Sequence, residues 1–204
     1  MNGEAFTKTV LNACSSLLDA EPRISHNDRI VGDGDCGATL SRGANAVIDT
    51  LNSSPLGPSV YAGDAVLRIA GAIEKSMDGT SGALYELFFT ALASAVQALP
   101  AKEMDLGAWA SAAATALERL QGMTPARVGD RTLMDALIPY IETLQSAGAV
   151  GPAVEAARKG CESTEGMPAS LGRAVYVAGE NWGKVSDPGA EGVAAIAVGL
   201  AKES

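Results

Sequence analysis

Apolar side chains recur every three or four residues along most of this chain, and that spacing restricts it to a helical fold. The clearest stretch runs from Leu84 to Leu99, where the pattern continues for about four turns. The same spacing recurs in Phe6–Leu18, Leu40–Leu51, Leu106–Leu120, Met134–Ile141, Val150–Cys161 and Val193–Leu200. Clusters of Gly, Pro and Asp separate these stretches. We therefore predict about eight helices in one all-α domain covering residues 1–204.

The composition agrees with a helical fold. Aromatic residues make up only 4 % of the chain, whereas glycine occurs 23 times and alanine is abundant. A sheet-rich domain would normally carry more aromatic and β-branched side chains. Small side chains on helices instead allow the helix axes to approach closely.

Charge and cysteine content argue against several classes of protein. A net charge of −9 makes a nucleic-acid-binding protein an unfavourable interpretation. The chain has neither a basic leader segment nor about 18 consecutive apolar residues, so we expect no signal peptide and no membrane span. Cys14, Cys36 and Cys161 are odd in number and widely spaced, which favours a reducing, cytoplasmic setting over disulfides or a zinc site.

The most unusual segment is an Asp/Gly-rich one, His26 to Gly43, with the sequence HNDRIVGDGDCGATLSRG. We interpret it as a loop that places Asp28, Asp33 and Asp35 directly before a helix. Three carboxylates so close together repel one another unless a cation lies between them, and hard oxygen ligands suit Mg²⁺. The alternative is a solvated turn without a metal.

Two helix starts are candidate phosphate sites, because the first backbone N–H groups of a helix lack partners and favour anions. One comprises Cys36, Gly37, Ala38 and Thr39, beside the carboxylates. The other is Gly79–Gly82, where Thr80 and Ser81 add hydroxyl groups. Ordinary N-capping by Thr80 or Ser81 is the alternative there.

Later segments also combine charge with glycine. Asp130 or Thr132 could cap the helix that follows them, and Pro188 with Gly189 could simply begin the last helix. Arg173 lies in a Gly-flanked loop, where a guanidinium could neutralise phosphate charge.

Two other residues of the chain, His26 and Cys36, are interpreted as having no catalytic role. The lone histidine, His26, is interpreted as a capping or solvent-facing residue, because one histidine cannot build a His-based metal site. Cys36 is interpreted as a packing residue, since the surrounding carboxylates raise its pKa.

These motifs together resemble the nucleotide-binding L domain of dihydroxyacetone kinases. The shared motifs are Asp28 followed by GDGDCG, then GTSGALY, GDRTLMDAL, the segment Gly172–Tyr176 and DPGA, in the family's order. The resemblance covers essentially the whole chain. It implies a closed barrel of about eight antiparallel helices, with ATP or ADP and two Mg²⁺ ions held by the loops at one end.

The resemblance also assigns roles to individual residues. It implies Asp28, Asp33 and Asp35 as the Mg²⁺ ligands. Ser81 and Arg173 would offset charge on the transferred phosphoryl group as catalytic residues. The implied nucleotide contacts are Cys36, Gly37, Ala38, Thr39, Thr80, Ser81, Arg173, Asp187, Pro188 and Gly189. Thr124 and Leu133 stand where the family usually has Gly and Met near the adenine.

In this family the substrate is held covalently by a histidine of a separate K domain or subunit. We therefore expect the chain to be the nucleotide half of a kinase that needs a K-type partner and acts on dihydroxyacetone or a related short ketose. A second branch carries tightly bound ADP, which a phosphotransferase-system protein recharges, and can regulate a transcription factor. Cys36 and the GDRT motif favour the ATP branch. A barrel that has lost activity is a third alternative, and the presence of Asp28, Asp33, Asp35, Ser81 and Arg173 argues against it. The sequence leaves a homodimer open.

Overall fold

The computed structural model describes residues 3–57, 60–99, 104–176 and 185–202, without the side chain of Arg173. Within these ranges the chain forms eight α-helices, one short 3₁₀-helix and no β-strand. The helices are α1 (Gly3–Val31), α2 (Cys36–Ser53), α3 (Ala62–Ser76), α4 (Gly79–Ala98), α5 (Leu106–Met123), α6 (Met134–Ala147), α7 (Val150–Ser163) and α8 (Pro188–Leu200), with the 3₁₀-helix Arg173–Tyr176 before α8. None of these helices is both long enough and apolar enough to span a membrane.

The helices form a closed ring. Each helix packs against the next one along the chain, and α1 also packs against α8. The predicted all-α barrel of eight helices is therefore confirmed. Its interior contains a cavity of about 330 Å³, whose lining includes Phe88, Leu92, Leu120, Ile141 and Ile196.

Small residues allow two of the helix contacts. A methyl group at Gly160 of α7 would overlap the Asp135 backbone of α6, and one at Gly199 of α8 would overlap the Ala13 backbone of α1. The expectation that small side chains bring helix axes close together is confirmed at both places.

Because neighbouring helices run in opposite directions, alternate connections lie at the same end of the barrel. The connections α1–α2, α3–α4, α5–α6 and α7–α8 share one end. All the motifs singled out in the sequence fall in or beside these four connections, so we call this the motif end.

One prediction about local structure is wrong. Asp28 does not lie in a loop, because α1 continues to Val31, through Pro22. Residues Ile24 and Asn27 on this last part of α1 are buried, which stabilises helix beyond the proline. Only Asp33 and Asp35 belong to the connection between α1 and α2.

Candidate nucleotide site

Three carboxylates lie close together at the connection between α1 and α2. One oxygen each from Asp28, Asp33 and Asp35 lies within 4.8 Å of the others. Asp28 is buried and the other two are exposed. The predicted clustering of these side chains is therefore present, and their charge and spacing fit a hard divalent cation.

Backbone geometry builds this cluster. A side chain at Gly32 would overlap the Asp28 carboxylate, and Gly34 turns the chain with φ +83°. The Cys36 N–H donates to Asp28 Oδ2 at 2.8 Å. Burial raises the pKa of Asp28, the Cys36 N–H opposes that rise, and Asp33 and Asp35 add to it. A bound cation would remove this repulsion.

The Cys36 thiol lies among the same carboxylates. Burial raises its pKa, and the negative charges of Asp28 and Asp187 raise it further. Cys36 packs against the core cluster that includes Ile24 and Leu40, in agreement with its packing interpretation, and its low reactivity stays a prediction. The buried Tyr85 hydroxyl is its neighbour, and it has no hydrogen bond to any described residue.

The start of α2 offers fewer free amides than expected. The Cys36 N–H binds Asp28, and the Thr39 N–H binds the Asp35 carbonyl at 2.9 Å. Among the described residues, only the amides of Gly37 and Ala38 in this turn are left for a ligand. The predicted anion site therefore has two backbone donors here rather than four.

The start of α4 has an open first turn. Its N-cap is Asp78, whose side chain accepts no capping hydrogen bond, and the first amide bound within this turn is that of Gly82. Thr80 and Ser81 lie inside the first turn, so the alternative in which one of them is the N-cap is wrong. The amides of Gly79, Thr80 and Ser81 have no partner among the described residues.

The start of α8 is capped internally. Asp187 is the N-cap, and its Oδ1 accepts from the Ala190 N–H at 2.8 Å, while Pro188 and Gly189 begin the helix. Burial raises the pKa of Asp187 to about 7, although the Ala190 N–H and the positive charge of Arg131 oppose the rise. Capping is thus one observed role of this motif.

Arg131 is a residue that sequence reasoning missed. It is buried in a left-handed conformation with φ +58°. Its guanidinium donates to the carbonyls of Thr164, Met167 and Val185, the last at 2.8 Å. Arg131 therefore joins the two sides of the α7–α8 connection, and its place in the GDRT motif was the signal that could have found it.

The α5–α6 connection is ordered by polar side chains. Buried Asp135 accepts from the N–H groups of Gly129 and Thr132, and Thr132 Oγ1 accepts from the Met134 N–H. The N-cap of α6 is nevertheless Leu133, so neither Thr132 nor Asp130 caps this helix and that expectation is wrong. Asp130 instead accepts from Ser170 Oγ and the Arg127 N–H.

The remaining predicted contacts lie at the same end of the barrel. Thr124 is the C-cap of α5, and buried Leu133 immediately precedes α6. A methyl group at Gly189 would lie 3.3 Å from Leu133 Cβ, so the two residues are neighbours. Arg173 begins the 3₁₀-helix, and its side chain lies outside the described part of the structure. His26 is exposed on α1, in agreement with its solvent-facing interpretation.

Together these observations define a class: a closed barrel of helices with an acidic cluster and two open helix starts at one end. The chain belongs to the DAK2 domain family, which matches residues 30–202. Among its relatives are the dihydroxyacetone kinase of Pichia angusta, 40 % identical over 96 % of this chain and 34 % of that protein, and the human triokinase/FMN cyclase, 38 % identical over 90 % of this chain and 32 % of that protein.

Solved structures with this fold include the dihydroxyacetone kinase of C. freundii. Its native form aligns with a TM-score of 0.79 and 27 % identity, over 97 % of this chain and 34 % of that one. The same enzyme in complex with AMP-PNP and Mg²⁺ aligns with a TM-score of 0.78 and 26 % identity, over all of this chain and 34 % of that one. The chain spans about a third of the length of the proteins it matches.

Proposed function

We propose that this chain is the nucleotide-binding part of a dihydroxyacetone-kinase-type phosphotransferase. It would bind ATP or ADP with Mg²⁺ at the motif end and transfer a phosphoryl group to a short ketose. The observation that carries the proposal is the cluster of Asp28, Asp33 and Asp35 next to the free amides of α2. The AMP-PNP and Mg²⁺ complex of the C. freundii enzyme supports it.

The carboxylate cluster is the proposed metal site. Three carboxylate oxygens within 4.8 Å of one another supply charge and ligands of the kind that Mg²⁺ prefers. We propose that it holds two ions, with the phosphates completing their coordination. Mg²⁺ bound there would offset negative charge on the phosphate oxygens.

Helix starts are the proposed phosphate site. The amides of Gly37 and Ala38 and those of Gly79–Ser81 have no partner in the described part of the chain, and the hydroxyls of Thr39, Thr80 and Ser81 would add to these donors. Ser81 and Arg173 would stabilise charge on the transferred group. The protein would contribute position and charge rather than covalent chemistry.

We assign the base end of the nucleotide to the other two connections. Cys36 would pack beside the phosphates, and Asp187, Pro188 and Gly189 would contact the nucleotide across from α2. Thr124 and Leu133 would lie near the adenine. The short distance from a methyl group built at Gly189 to Leu133 Cβ, 3.3 Å, supports placing these two residues in one pocket wall.

The ketose would be held by a K-type domain or subunit. The sequence contains a single histidine, His26, which is exposed on α1 near the end of that helix. A covalent substrate histidine would therefore come from the partner. We propose that this assembly is cytoplasmic. We also propose that ATP is its phosphate source.

Nucleotide titration with matched variants tests the proposal. Isothermal titration with ATP or ADP should show binding that depends on Mg²⁺, and the double substitution Asp33→Asn with Asp35→Asn should weaken it at least about tenfold, because two anionic ligands are lost. Asp49→Asn, an exposed change on the far part of α2, is the control and should bind as the parent does.

Equal Mg²⁺-dependent affinity in the double variant and the parent would overturn the metal assignment. Turnover is tested separately, by mixing the chain with K-type subunits, ATP and dihydroxyacetone and measuring ketose phosphate. Formation of product with ATP alone supports the ATP branch. Product only in the presence of phosphotransferase-system proteins would contradict it.

A further inference from the structure

One cation at the motif end, Arg42, lies within the Asp/Gly-rich segment His26 to Gly43 but has no role in the proposed function. Arg42, on the second turn of α2, donates from Nη2 to Thr39 Oγ1 at 3.1 Å and from Nε to the Ser76 carbonyl at 3.3 Å. The same Nη2 lies 3.6 Å from a carboxylate oxygen of Asp78.

The acceptors of Arg42 belong to three different elements. Thr39 is in the first turn of α2, Ser76 is the last residue of α3, and Asp78 is the N-cap of α4. One planar guanidinium thus connects the two helix starts whose amides are unengaged. Arginine can hold several acceptors at fixed angles, which an ammonium group cannot do.

The contacts of Arg42 suit a binding role better than a stabilising one. Its side chain is 48 % exposed and that of Asp78 is 96 % exposed, so their ion pair contributes little to folding stability. Nη1 has no hydrogen bond to any described residue, which leaves donors for a ligand. Thr39 Oγ1 accepts from Arg42, and the Thr39 hydroxyl proton has no acceptor among the described residues.

We propose that Arg42 is a positioning residue for the polyphosphate. It orients the Thr39 hydroxyl, sets the start of α4 relative to the start of α2, and adds positive charge between them. This inference rests on the proposed nucleotide function. If Arg42 has this role, the protein should prefer nucleotides with more phosphates. Arg42 lies between the starts of α2 and α4, where the outer phosphates of ATP would bind and which AMP would leave largely unfilled.

Phosphate-number selectivity is measured by titrating Mg·ATP, Mg·ADP and AMP against the parent protein and five variants. Arg42→Gln should weaken Mg·ATP about tenfold or more, which is typical for the loss of hydrogen bonds from a charged group, and AMP by less than about twofold. The Mg·ATP affinity of Arg42→Lys should lie between those of the parent and Arg42→Gln, since lysine keeps the positive charge and loses the planar set of N–H donors.

The matched control is Arg68→Gln. Arg68 also joins α2 to its surroundings, by donating to the carbonyls of Thr50 and Ser54, but at the opposite end of α2. This variant should leave the affinity ratio between ATP and AMP unchanged. Thr39→Val combined with Arg42→Gln should cost less than the sum of the two single changes, because both act through one contact.

Two results would overturn the inference. One is an equal loss of affinity for ATP and AMP in Arg42→Gln, and the other is the same change of ratio in Arg68→Gln. Failure of the parent protein to bind Mg·ATP would instead overturn the proposed function. The two failures are therefore distinguishable in one set of titrations.

Discussion

At the scale of single residues, Asp187 shows how burial and capping oppose each other. Its Oδ1 accepts from the Ala190 N–H, and that bond and the positive charge of Arg131 favour its charged form. Burial nevertheless dominates and raises its pKa to about 7. An exposed aspartate titrates near pH 4. Between these two values the folded protein binds a proton that the unfolded chain releases.

The sign of the resulting pH dependence follows from this difference. The Asp187 contribution to stability is fully present below about pH 4 and is lost as the pH rises through about 7. Asp187→Asn keeps an acceptor oxygen and removes the titration. The free energy of unfolding of the parent minus that of the variant, measured with urea in a chelating buffer, should fall between pH 5 and pH 8. Parallel curves for the two proteins would contradict the assignment.

The thiols make a second residue-scale prediction. Burial raises the pKa of Cys14 to about 11 and of Cys161 to about 12, and that of Cys36 still higher. The thiolate is the reactive form. In the native protein at pH 8, all three thiols should therefore react with iodoacetamide far more slowly than free cysteine, and all three should react in urea. Mass spectrometry of each cysteine peptide measures this, and rapid native labelling of Cys36 would contradict it.

At the scale of secondary-structure elements, the sequence predicted the number of helices and most of their positions. Seven of the eight follow from apolar spacing, but α3 was not located, because its stripe is carried partly by alanines such as Ala65 and Ala72. The end of α1 was also missed. Proline, aspartate and glycine discourage helix locally, whereas burial of Ile24 and Val31 against neighbouring helices outweighs them. Tertiary packing of this kind cannot be inferred from local spacing.

Close helix contacts give a prediction for glycine variants. Gly160→Ala on α7 should destabilise the protein by about 1–3 kcal/mol, because the new methyl group meets the rigid backbone of Asp135 and Ala136. Gly71→Ala on α3 is the matched control. No atom lies within 4 Å of its added methyl group, so it should stabilise by about 0.5–1 kcal/mol. Thermal and urea unfolding compare the two, and equal effects would contradict the close contact.

At the scale of the whole molecule, the barrel gathers segments that are far apart in the sequence. Motifs separated by up to about 160 residues share one end because they occupy alternate connections of an antiparallel ring. The sequence predicted which residues are unusual, and the resemblance supplied their common site. Neither the sequence nor the resemblance could predict that Asp28 and the Asp35 carbonyl accept hydrogen bonds from two amides in the first turn of α2. The same is true of the links that Arg42 and Arg131 make between neighbouring segments. Those features depend on side chains meeting across elements.

Because the proposed site lies at one end of the barrel only, a bound nucleotide should slow amide hydrogen exchange at that end and not at the other. Hydrogen exchange should slow on addition of Mg·ADP in residues 36–39, 78–82 and 185–190, because these amides and their neighbours would hold the ligand. The opposite end, around residues 53–57 and 147–150, should be unchanged, since it lies at the other end of the barrel from the proposed site. The variant carrying Asp33→Asn and Asp35→Asn should show neither effect. Equal protection at both ends of the barrel in the parent protein would contradict a site confined to the motif end.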